Sequence, residues 1–296
     1  MEIKAEIEKR TAEIEKVINA YLPAEENYQS RIMEAMNYSV RAGGKRLRPM
    51  LMQETYRLFG GRGEVVEPFM AAIEMIHTYS LVHDDLPAMD NDEYRRGKKT
   101  THARFGEAMG ILAGDALLNY AFETALRAFD MSSEHIRIAK ALQVLSRKAG
   151  IYGMVGGQTV DVLAEEDGDL TKEKLDFIYR LKTGALIEAS MVIGAILAGA
   201  TRNEQKQIEQ AAGLVGVAFQ IQDDILDVTS TMEVLGKPIG SDEKNHKVTY
   251  VTFEGLEKSK EAVERLSTEA VACMDALVVK NEFLTELLRY LIYREK

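Results

Sequence analysis

The chain has 296 residues, of which 46% are hydrophobic and 28% are charged. This mix excludes a disordered or low-complexity chain, and a protein of this length buries roughly three-quarters of the surface that it exposes when unfolded. The formal net charge of -10 opposes binding to nucleic acid and to anionic membrane surfaces. The single cysteine, Cys273, excludes an internal disulfide framework and a cysteine-based zinc site, and it fits a reducing cytosol.

The first three predicted helices carry apolar residues at every third or fourth position, which is the period of one helix face. The composition also favours helix over sheet, because the chain has only five prolines and no tryptophan and is rich in Ala, Glu, Leu, Lys and Met. The recurring apolar residues are Ile3, Ile7, Ile14 and Ile18, then Met33, Met36 and Val40, then Met52, Tyr56 and Phe59.

Helical patterns continue along the rest of the chain, and strand-like alternation is scarce. Glycine and proline fall between the helical stretches or near their ends, and no flexible linker divides the sequence. We therefore predict one all-α domain over residues 1–296. The further predicted helical stretches are 65–84, 103–130, 133–162, 171–199, 203–229, 245–273 and 281–293.

The sequence shows no pattern of a signal peptide or a membrane span. Residues 1–18 are densely charged and lack an apolar signal-peptide core. The longest uncharged apolar run, Ala189–Ala200, has about 12 residues, fewer than the roughly 20 that a bilayer requires. The surrounding stretch 184–200 is rich in Gly and Ala, which allow close helix approach, so we expect a central, buried helix. We also expect the protein to be cytoplasmic.

The first of two acidic motifs, DDxxxxD, follows a strongly apolar helical segment. It contains Asp84, Asp85 and Asp90. Pro87 interrupts the helix within the motif, so we expect Asp90 to turn back toward Asp84. Carboxylates crowded at a helix C-terminus destabilise it unless cations compensate their charge.

The second acidic motif, DDxxD, also ends an apolar helical segment and contains Asp223, Asp224 and Asp227. Asp223 and Asp227 are four residues apart, so they share one helix face. A single pair of this kind is more often a solvated helix end than a site. Two matched clusters instead indicate a hard divalent cation, since Mg²⁺ is commonly held by one or two carboxylates together with substrate phosphates.

Basic residues occur beside both acidic motifs. They are the type of residue that binds phosphate, arginine as a bidentate fork and lysine as a point charge. Any one of these groups alone is more often a solvated surface, but their combination indicates Mg²⁺-bridged phosphates. The groups are Lys45-Arg46-Leu47-Arg48 after Gly43-Gly44, Arg95-Arg96-Gly97-Lys98-Lys99, Lys182, and Lys237, Lys244 and Lys247.

These motifs closely resemble those of the trans-isoprenyl diphosphate synthases, over nearly the whole chain. Two extra residues in the first acidic motif make it most similar to the bacterial farnesyl diphosphate synthase subgroup. Tyr94 and Lys99 depart from the usual Leu and Pro without removing an expected ligand. The matching runs are GGKRLRP at 43–49, the segment 77–102, GDALL at 114–118, GMVGGQ at 153–158, KTG at 182–184, QIQDDILD at 220–227 and GKPIGSDEKNHKVTY at 236–250.

The resemblance implies a single-domain helical bundle of the isoprenoid synthase type, usually a homodimer, with a central cavity between the acidic motifs. It also implies the substrates, isopentenyl diphosphate and an allylic diphosphate, and three Mg²⁺ ions. The allylic diphosphate would ionise, its carbocation would alkylate isopentenyl diphosphate, and a proton would be lost.

The resemblance assigns residues to three groups of ligands. The implied metal ligands are Asp84 and Asp90 for two Mg²⁺, supported by Asp85, and Asp223 for the third, with Asp224 and Asp227 in its shell. The residues implied for the allylic diphosphate are Arg95, Lys182, Lys237 and Lys247, with Thr183 and Gln220 beside the developing cation. The residues implied for isopentenyl diphosphate are Gly44, Lys45, Arg48, His77 and Arg96. His83 is interpreted as structural.

Product length is predicted from the helix before the first acidic motif. Tyr79 lies five residues before Asp84, about 7 Å along a helix at 1.5 Å per residue. The resemblance implies that an aromatic residue here is the floor that stops growth at fifteen carbons. Helix geometry places Ser80 more directly below Asp84, and Tyr79 as an ordinary core residue is the alternative. A twenty-carbon product, made by a geranylgeranyl diphosphate synthase of the same fold, stays open.

Three other classes compete with this interpretation. A terpene cyclase would pair one acidic motif with an Asn/Ser/Glu motif and would not need GGKRLRP. A di-iron bundle would need paired Glu-x-x-His motifs on core helices. Residues 74–77 could supply one, but the second candidate, 243–246, is in a polar, lysine-rich stretch. A non-catalytic partner subunit should have lost acidic or basic ligands, and this chain has kept them.

Overall fold

The computed structural model describes residues 2–229 and 248–293. Regular structure in these residues is almost entirely helical, which confirms the predicted all-α fold class. They form two compact units. The first is drawn from Met1–Gln53 and Arg62–Leu142, and the second from Glu54–Gly61 and Gln143–Lys296.

The described helices follow the predicted stretches in order, with one π-helix, Tyr179–Gly184, between the α-helices Lys172–Ile178 and Ala185–Ala198. Two short strands, β1 (Tyr94–Arg95) and β2 (Lys98–Lys99), pair antiparallel. The α-helices are α1 (Ile3–Ala20), α2 (Ser30–Val40), α3 (Leu47–Leu58), α4 (Glu67–Asp84), α5 (Thr101–Phe105), α6 (Glu107–Leu126), α7 (Ala128–Met131), α8 (His135–Ala149), α9 (Met154–Asp167), α10 (Lys172–Ile178), α11 (Ala185–Ala198), α12 (Arg202–Thr229), α13 (Tyr250–Glu254), α14 (Leu256–Asp275) and α15 (Glu282–Ile292).

Three stretches were predicted to be continuous helices, and this prediction was wrong. Each of them contains a break beside a glycine. Gly106 separates α5 from α6 at φ +94°, and Gly255 separates α13 from α14 at φ +79°. Both conformations are left-handed, which glycine adopts without steric cost. Between α8 and α9, a side chain on Gly153 would collide with the carbonyl of Lys148. Hydrophobic spacing does not detect such breaks because the apolar face resumes after each one.

In the first unit, α4 is buried along nearly its whole length and packs chiefly against α6. Pro68 lies in the first turn of α4, where its missing N–H costs no hydrogen bond. The buried side chains include Phe69, Met70 and Ile73. This packing fixes the C-terminal end of α4, which carries the first acidic motif.

In the second unit, α12 packs against α11 and α14. Every residue of α11 from Ala185 to Leu197 is buried, which confirms the interpretation of this stretch as a buried helix. Gly199, at φ +89°, ends it. The segment Lys172–Ala198 is long and apolar enough to cross a membrane, but 78% of its most apolar window is buried inside the protein, as in a core helix.

Candidate active site

The first acidic motif folds back on itself after α4. The main-chain amide of Asp90 donates to the main-chain oxygen of Asp84 at 2.8 Å, and the amide of Asn91 donates to Leu86 at 3.1 Å. Asn91 adopts the left-handed conformation that this reversal needs. The predicted return of Asp90 toward Asp84 is therefore confirmed, with Asp84 half-buried and Asp90 exposed.

Asp85, between them in sequence, turns inward and binds Arg95. Both Nε and Nη2 of Arg95 lie 2.7 Å from Asp85 Oδ1. Burial raises the pKa of Asp85, and the hydrogen bond and charge of Arg95 offset only part of that rise. Burial acts to lower the pKa of Arg95 and is the largest single influence on it. The hydrogen bond and charge of Asp85, together with the charges of Asp92 and Asp84, outweigh burial, so the pKa of Arg95 rises. Asp85 therefore orients Arg95, and its predicted support of the Mg²⁺ ligands Asp84 and Asp90 stays a prediction.

A second group of predicted residues lies in the same unit and is strongly cationic. Burial lowers the pKa of Arg48. Its buried Nε has no hydrogen-bond partner among the described residues. The pKa of Arg96 is lowered by burial and then by Arg46 and Arg95. Burial and these arginines together hold the pKa of His77 well below its usual range. A cluster with this excess of positive charge is suited to an anion.

The glycine turn before α3 shapes this cluster. Gly44 has φ +146°, and a side chain there would lie 2.8 Å from Nη1 of Arg96. Arg96 therefore packs against bare backbone. Lys45 is exposed at the end of the turn.

Glu74, which the sequence offered only as part of a possible di-iron Glu-x-x-His motif, is buried within the cationic cluster. Arg46 donates to its Oε1 at 2.7 Å and to the carbonyl of Val40 at 2.7 Å. Its charge also acts on Arg48 and Arg96. The signal available in sequence was a lone Glu in the apolar stretch of α4, three residues before His77.

The second acidic motif lies in the last two turns of α12. Asp223 is exposed and Asp227 is half-buried, and their four-residue spacing places them on one helix face. Asp224 is buried instead. Its Oδ2 accepts hydrogen bonds from the hydroxyl of Tyr179 and, at 2.9 Å, from the main-chain amide of Tyr250. Asp224 therefore lies on the buried face of α12, where it accepts hydrogen bonds from other parts of the protein.

The KTG segment lies in the π-helix of the same unit. Lys182 Nζ donates to Asp161 Oδ2 at 2.6 Å, and Thr183 Oγ1 donates to Gln220 Oε1 at 2.8 Å. The pairing of Thr183 with Gln220 brings two predicted residues together. Asp161 was missed, although it follows the GMVGGQ run by three residues and is a carboxylate in an apolar stretch. Lys237 and Lys247 lie outside the described residues.

Tyr79 and Ser80 lie one turn and more below Asp84 on α4. The Tyr79 side chain is buried, and its hydroxyl has no hydrogen-bond partner among the described residues. Burial, and then the charge of Asp84, raises the pKa of Tyr79 to about 12. Ser80 donates to the carbonyl of His77 at 2.9 Å, so its hydroxyl is used within the helix.

The side chain of His83 packs against α6, beside Gly114 and Ile111. Its ring lies where a side chain on Gly114 would be. Its Nε2 is 3.0 Å from the carbonyl oxygen of Ile111, and the ring contacts Tyr79 edge-on. These contacts favour the structural interpretation of His83.

The acidic motifs fit Mg²⁺ that arrives together with a diphosphate. Over residues 2–229 and 248–293, no three His, Cys, Asp or Glu side chains are grouped as a ready metal site. Mg²⁺ does not need such a group, because it usually keeps water and substrate phosphate among its oxygen ligands. The donors are also the hard carboxylates that Mg²⁺ prefers, at Asp84, Asp90, Asp223 and Asp227.

The chain matches known proteins along most of its length. The Polyprenyl synthetase family model matches residues 29–280. A farnesyl diphosphate synthase of Micrococcus luteus is 45% identical over 282 residues, covering 95% of this chain and 94% of that protein. A chloroplastic geranylgeranyl pyrophosphate synthase of Catharanthus roseus is 46% identical over 269 residues, covering 90% and 74%.

A crystal structure of an FPP/GFPP synthase from Zymomonas mobilis shares the fold with a TM-score of 0.87 and 33% sequence identity, covering 98% of each chain. These matches extend over the acidic motifs, the GGKRLRP turn and the KTG segment. The protein with these sites belongs to the polyprenyl synthetase family.

Proposed function

We propose that the protein is a short-chain trans-prenyltransferase that condenses isopentenyl diphosphate with dimethylallyl or geranyl diphosphate to give farnesyl diphosphate. The observation that carries the proposal is the cluster of Arg48, Arg96 and His77, where the buried Nε of Arg48 has no hydrogen-bond partner among the described residues. That cluster provides a diphosphate site distinct from the metal-dependent one. A terpene cyclase, which takes one diphosphate substrate, has no use for it.

The bond changes follow from the two substrates. The C–O bond of the allylic diphosphate breaks, and its electron pair leaves with the diphosphate. The double bond of isopentenyl diphosphate then supplies the pair for the new C–C bond. The resulting cation loses a proton to the released diphosphate, so a new double bond forms and no redox partner is needed.

Mg²⁺ would supply charge neutralisation for the leaving diphosphate. Asp84 and Asp90 would hold two ions, and Asp223, with Asp227 beside it, would hold the third. Arg95, oriented by Asp85, would add two fixed N–H donors to the allylic diphosphate. These charges are useful in ionisation because they stabilise the group on which negative charge develops.

The chain's other residues hold the substrates and shield the cation. Lys182, in its pair with Asp161, would bind the allylic diphosphate as a point charge. The oxygens of Thr183 and Gln220 are hydrogen-bonded to each other and would offer dipoles to the carbocation. Lys45, Arg48, His77 and Arg96 would hold isopentenyl diphosphate, and Gly44 leaves Arg96 its space.

Fifteen carbons is the proposed product length, and geranylgeranyl diphosphate is the second candidate. The Micrococcus luteus relative and the predicted Tyr79 floor favour the first. The Catharanthus roseus relative, at 46% identity, favours the second. Dimethylallyl and geranyl diphosphate are both proposed starters.

We further propose a cytoplasmic homodimer in which residues 1–296 form one domain with a central cavity. Within the first unit, Ile111 and Leu112 on α6 and Leu126 at its end are large apolar side chains left exposed. Exposed apolar side chains along one helix support the proposal of a protein interface there. Light scattering of the purified protein measures the mass directly, and a monomer would contradict this part of the proposal.

The test is a product assay on purified protein. Isopentenyl diphosphate and dimethylallyl diphosphate are supplied with Mg²⁺, with an EDTA control, and products are separated by chain length. A metal-dependent fifteen-carbon product is expected. A twenty-carbon product would support the prenyltransferase class but contradict the assignment of Tyr79 as the residue that limits chain length. A cyclic hydrocarbon would indicate a terpene cyclase. A folded protein that catalyses no condensation would indicate a non-catalytic partner subunit.

A further inference from the structure

Between Lys172 and Ala198 the chain is helical throughout, and it changes from α-helix to π-helix over Tyr179–Gly184. This π-helix contains Lys182 and Thr183. A π-helix contains an extra residue per turn and often occurs at functional sites. The extra residue rotates the following side chains relative to an α-helix. Here Lys182 is placed on Asp161 and Thr183 on Gln220.

Two glycines hold the π-helix by close backbone approach. A side chain on Gly157, in α9, would collide with the main-chain nitrogen of Lys182. A side chain on Gly216, in α12, would come within 2.7 Å of the α-carbon of Gly184. The widened turn therefore fits between α9 and α12 because both helices lack a side chain at the contact.

The third contact is a buried hydrogen bond at the first residue of the turn. Tyr179 donates its hydroxyl to Oδ2 of Asp224, and Tyr250 donates its main-chain amide to the same oxygen at 2.9 Å. Asp224 is only 3% exposed, and Tyr179 is 6% exposed. One carboxylate thus ties α12 to the start of the π-helix and to the start of α13.

We infer that Tyr179 and Asp224 are positioning residues: their hydrogen bond sets the register of the π-helix and so aims Lys182 and Thr183 at the allylic diphosphate. The inference rests on the proposed function for the identity of that substrate. It assigns Asp224 a task different from metal binding, although it belongs to an acidic motif. The physical reason is that a π-helix is less favourable than an α-helix and persists where surrounding contacts over-determine it.

The first experiment compares Tyr179→Phe with Tyr250→Phe in the full-length enzyme. The first change removes the hydroxyl on Asp224. The second removes a hydroxyl too, but it keeps the Tyr250 amide, and its ring lies under Lys172. For Tyr179→Phe we expect kcat/KM for the allylic diphosphate to fall about 10- to 100-fold, since a shift of about 1 Å at a reacting site has effects of this size.

Other readouts separate positioning from general damage. The KM for isopentenyl diphosphate and the Mg²⁺ concentration for half-maximal rate should stay within about twofold of wild type for Tyr179→Phe. Tyr250→Phe should stay within about twofold in every constant. Hydrogen exchange of the peptide covering 179–184 should accelerate about tenfold or more in Tyr179→Phe and not in Tyr250→Phe, since loss of a local contact raises local opening.

The second experiment compares Asp224→Asn with Asp224→Ala. Asn keeps an oxygen that accepts from Tyr179 and Tyr250 but has lost the carboxylate charge. We expect Asn to retain most of the activity that Ala loses, with unchanged Mg²⁺ dependence. A metal ligand would behave differently, because the neutral amide is a much poorer Mg²⁺ donor.

Wild-type kinetics and wild-type exchange in Tyr179→Phe would overturn the inference. A raised Mg²⁺ requirement in Asp224→Asn, equal to that of Asp224→Ala, would also overturn it and return Asp224 to the metal shell. If the wild-type enzyme makes no prenyl product, the proposed function fails by itself. The exchange comparison then still decides whether Tyr179 holds the π-helix in place.

Discussion

Arg46 and Glu74 form a buried ion pair, with Nη1 of Arg46 2.7 Å from Oε1 of Glu74. The side chains are 3% and 4% exposed, so neither charge is solvated. Arg46 reaches Glu74 from a residue in the left-handed conformation, at φ +49°. The pair therefore joins the turn before α3 to the middle of α4 and holds the residues that surround the cationic cluster.

Glu74→Ala should destabilise the protein by about 3–5 kcal/mol, because it removes the buried partner of Arg46. The variant leaves Arg46 with Glu15, whose Oε1 lies 3.6 Å from Nε of Arg46. Urea unfolding followed by circular dichroism measures this change. The matched control is Glu286→Ala, which breaks the exposed pair with Arg289 and should cost within about 0.5 kcal/mol. Equal effects of the two substitutions would show that the buried pair is not a stabilising element.

Asp84→Asn and Asp223→Asn should each reduce kcat by about 10²–10³-fold, the size of effect seen when one group that stabilises developing charge is removed. Steady-state assays at increasing Mg²⁺ concentration are the measurement, and EDTA should abolish the wild-type rate. Asp130→Asn, distant in sequence from both motifs, is the control. Full activity of either motif variant at wild-type Mg²⁺ concentrations would contradict the assignment of that residue as a metal ligand.

Arg48→Ala should raise the KM for isopentenyl diphosphate by about tenfold or more, since a charge-assisted hydrogen bond contributes about 1.5–3 kcal/mol. The KM for the allylic diphosphate should change little. Arg48→Lys should restore only part of the loss, because lysine cannot reproduce the planar guanidinium fork. An equal rise in both KM values would remove Arg48 from a substrate-specific site.

Tyr79→Ala should lengthen the main product beyond fifteen carbons, because it removes the proposed aromatic floor. Tyr79→Phe keeps the ring and should keep the product length. Phe should also leave stability nearly unchanged, since the hydroxyl that it lacks has no partner among the described residues. Chromatography of the dephosphorylated products measures their chain length. An unchanged fifteen-carbon product from Tyr79→Ala would contradict the proposal that Tyr79 limits chain growth.

His77 should make folding stability sensitive to mildly acidic pH. Burial and the neighbouring arginines lower its pKa well below the usual 6.5, so the unfolded chain binds the proton more readily than the folded one. Its contribution is therefore complete above pH 6.5 and is lost as the pH falls toward the folded-state pKa, at up to about 1.4 kcal/mol per pH unit.

Denaturant unfolding at pH 7.5 and pH 5.5 tests this sign. The stability lost between these pH values should be smaller in His77→Gln than in the wild type. The exposed His135 supplies the control, and His135→Gln should keep the wild-type difference. A wild-type difference that persists in His77→Gln would place the acid sensitivity elsewhere.

The all-α class, the buried α11 and the return of Asp90 to Asp84 were predictable because local rules decide them. Helical periodicity, small residues in an apolar run and a proline after an acidic pair each act within a few residues. The breaks at Gly106 and Gly255 were not predictable in this way. A glycine within a helical pattern is compatible with either a continuous helix or a left-handed turn.

The candidate functional residues were readable in the amino-acid sequence: two acidic motifs, a glycine turn with arginines, and a KTG segment. Which protein groups these residues contact depends on the packing of the chain. Glu74 meets Arg46 across 28 residues, Lys182 meets Asp161 across 21, and Tyr179 meets Asp224 across 45. Such contacts depend on how helices pack, and spacing along one helix does not specify them. Packing therefore turns Asp224 toward Tyr179, while the repeating geometry of α12 places Asp223 and Asp227 on a common face.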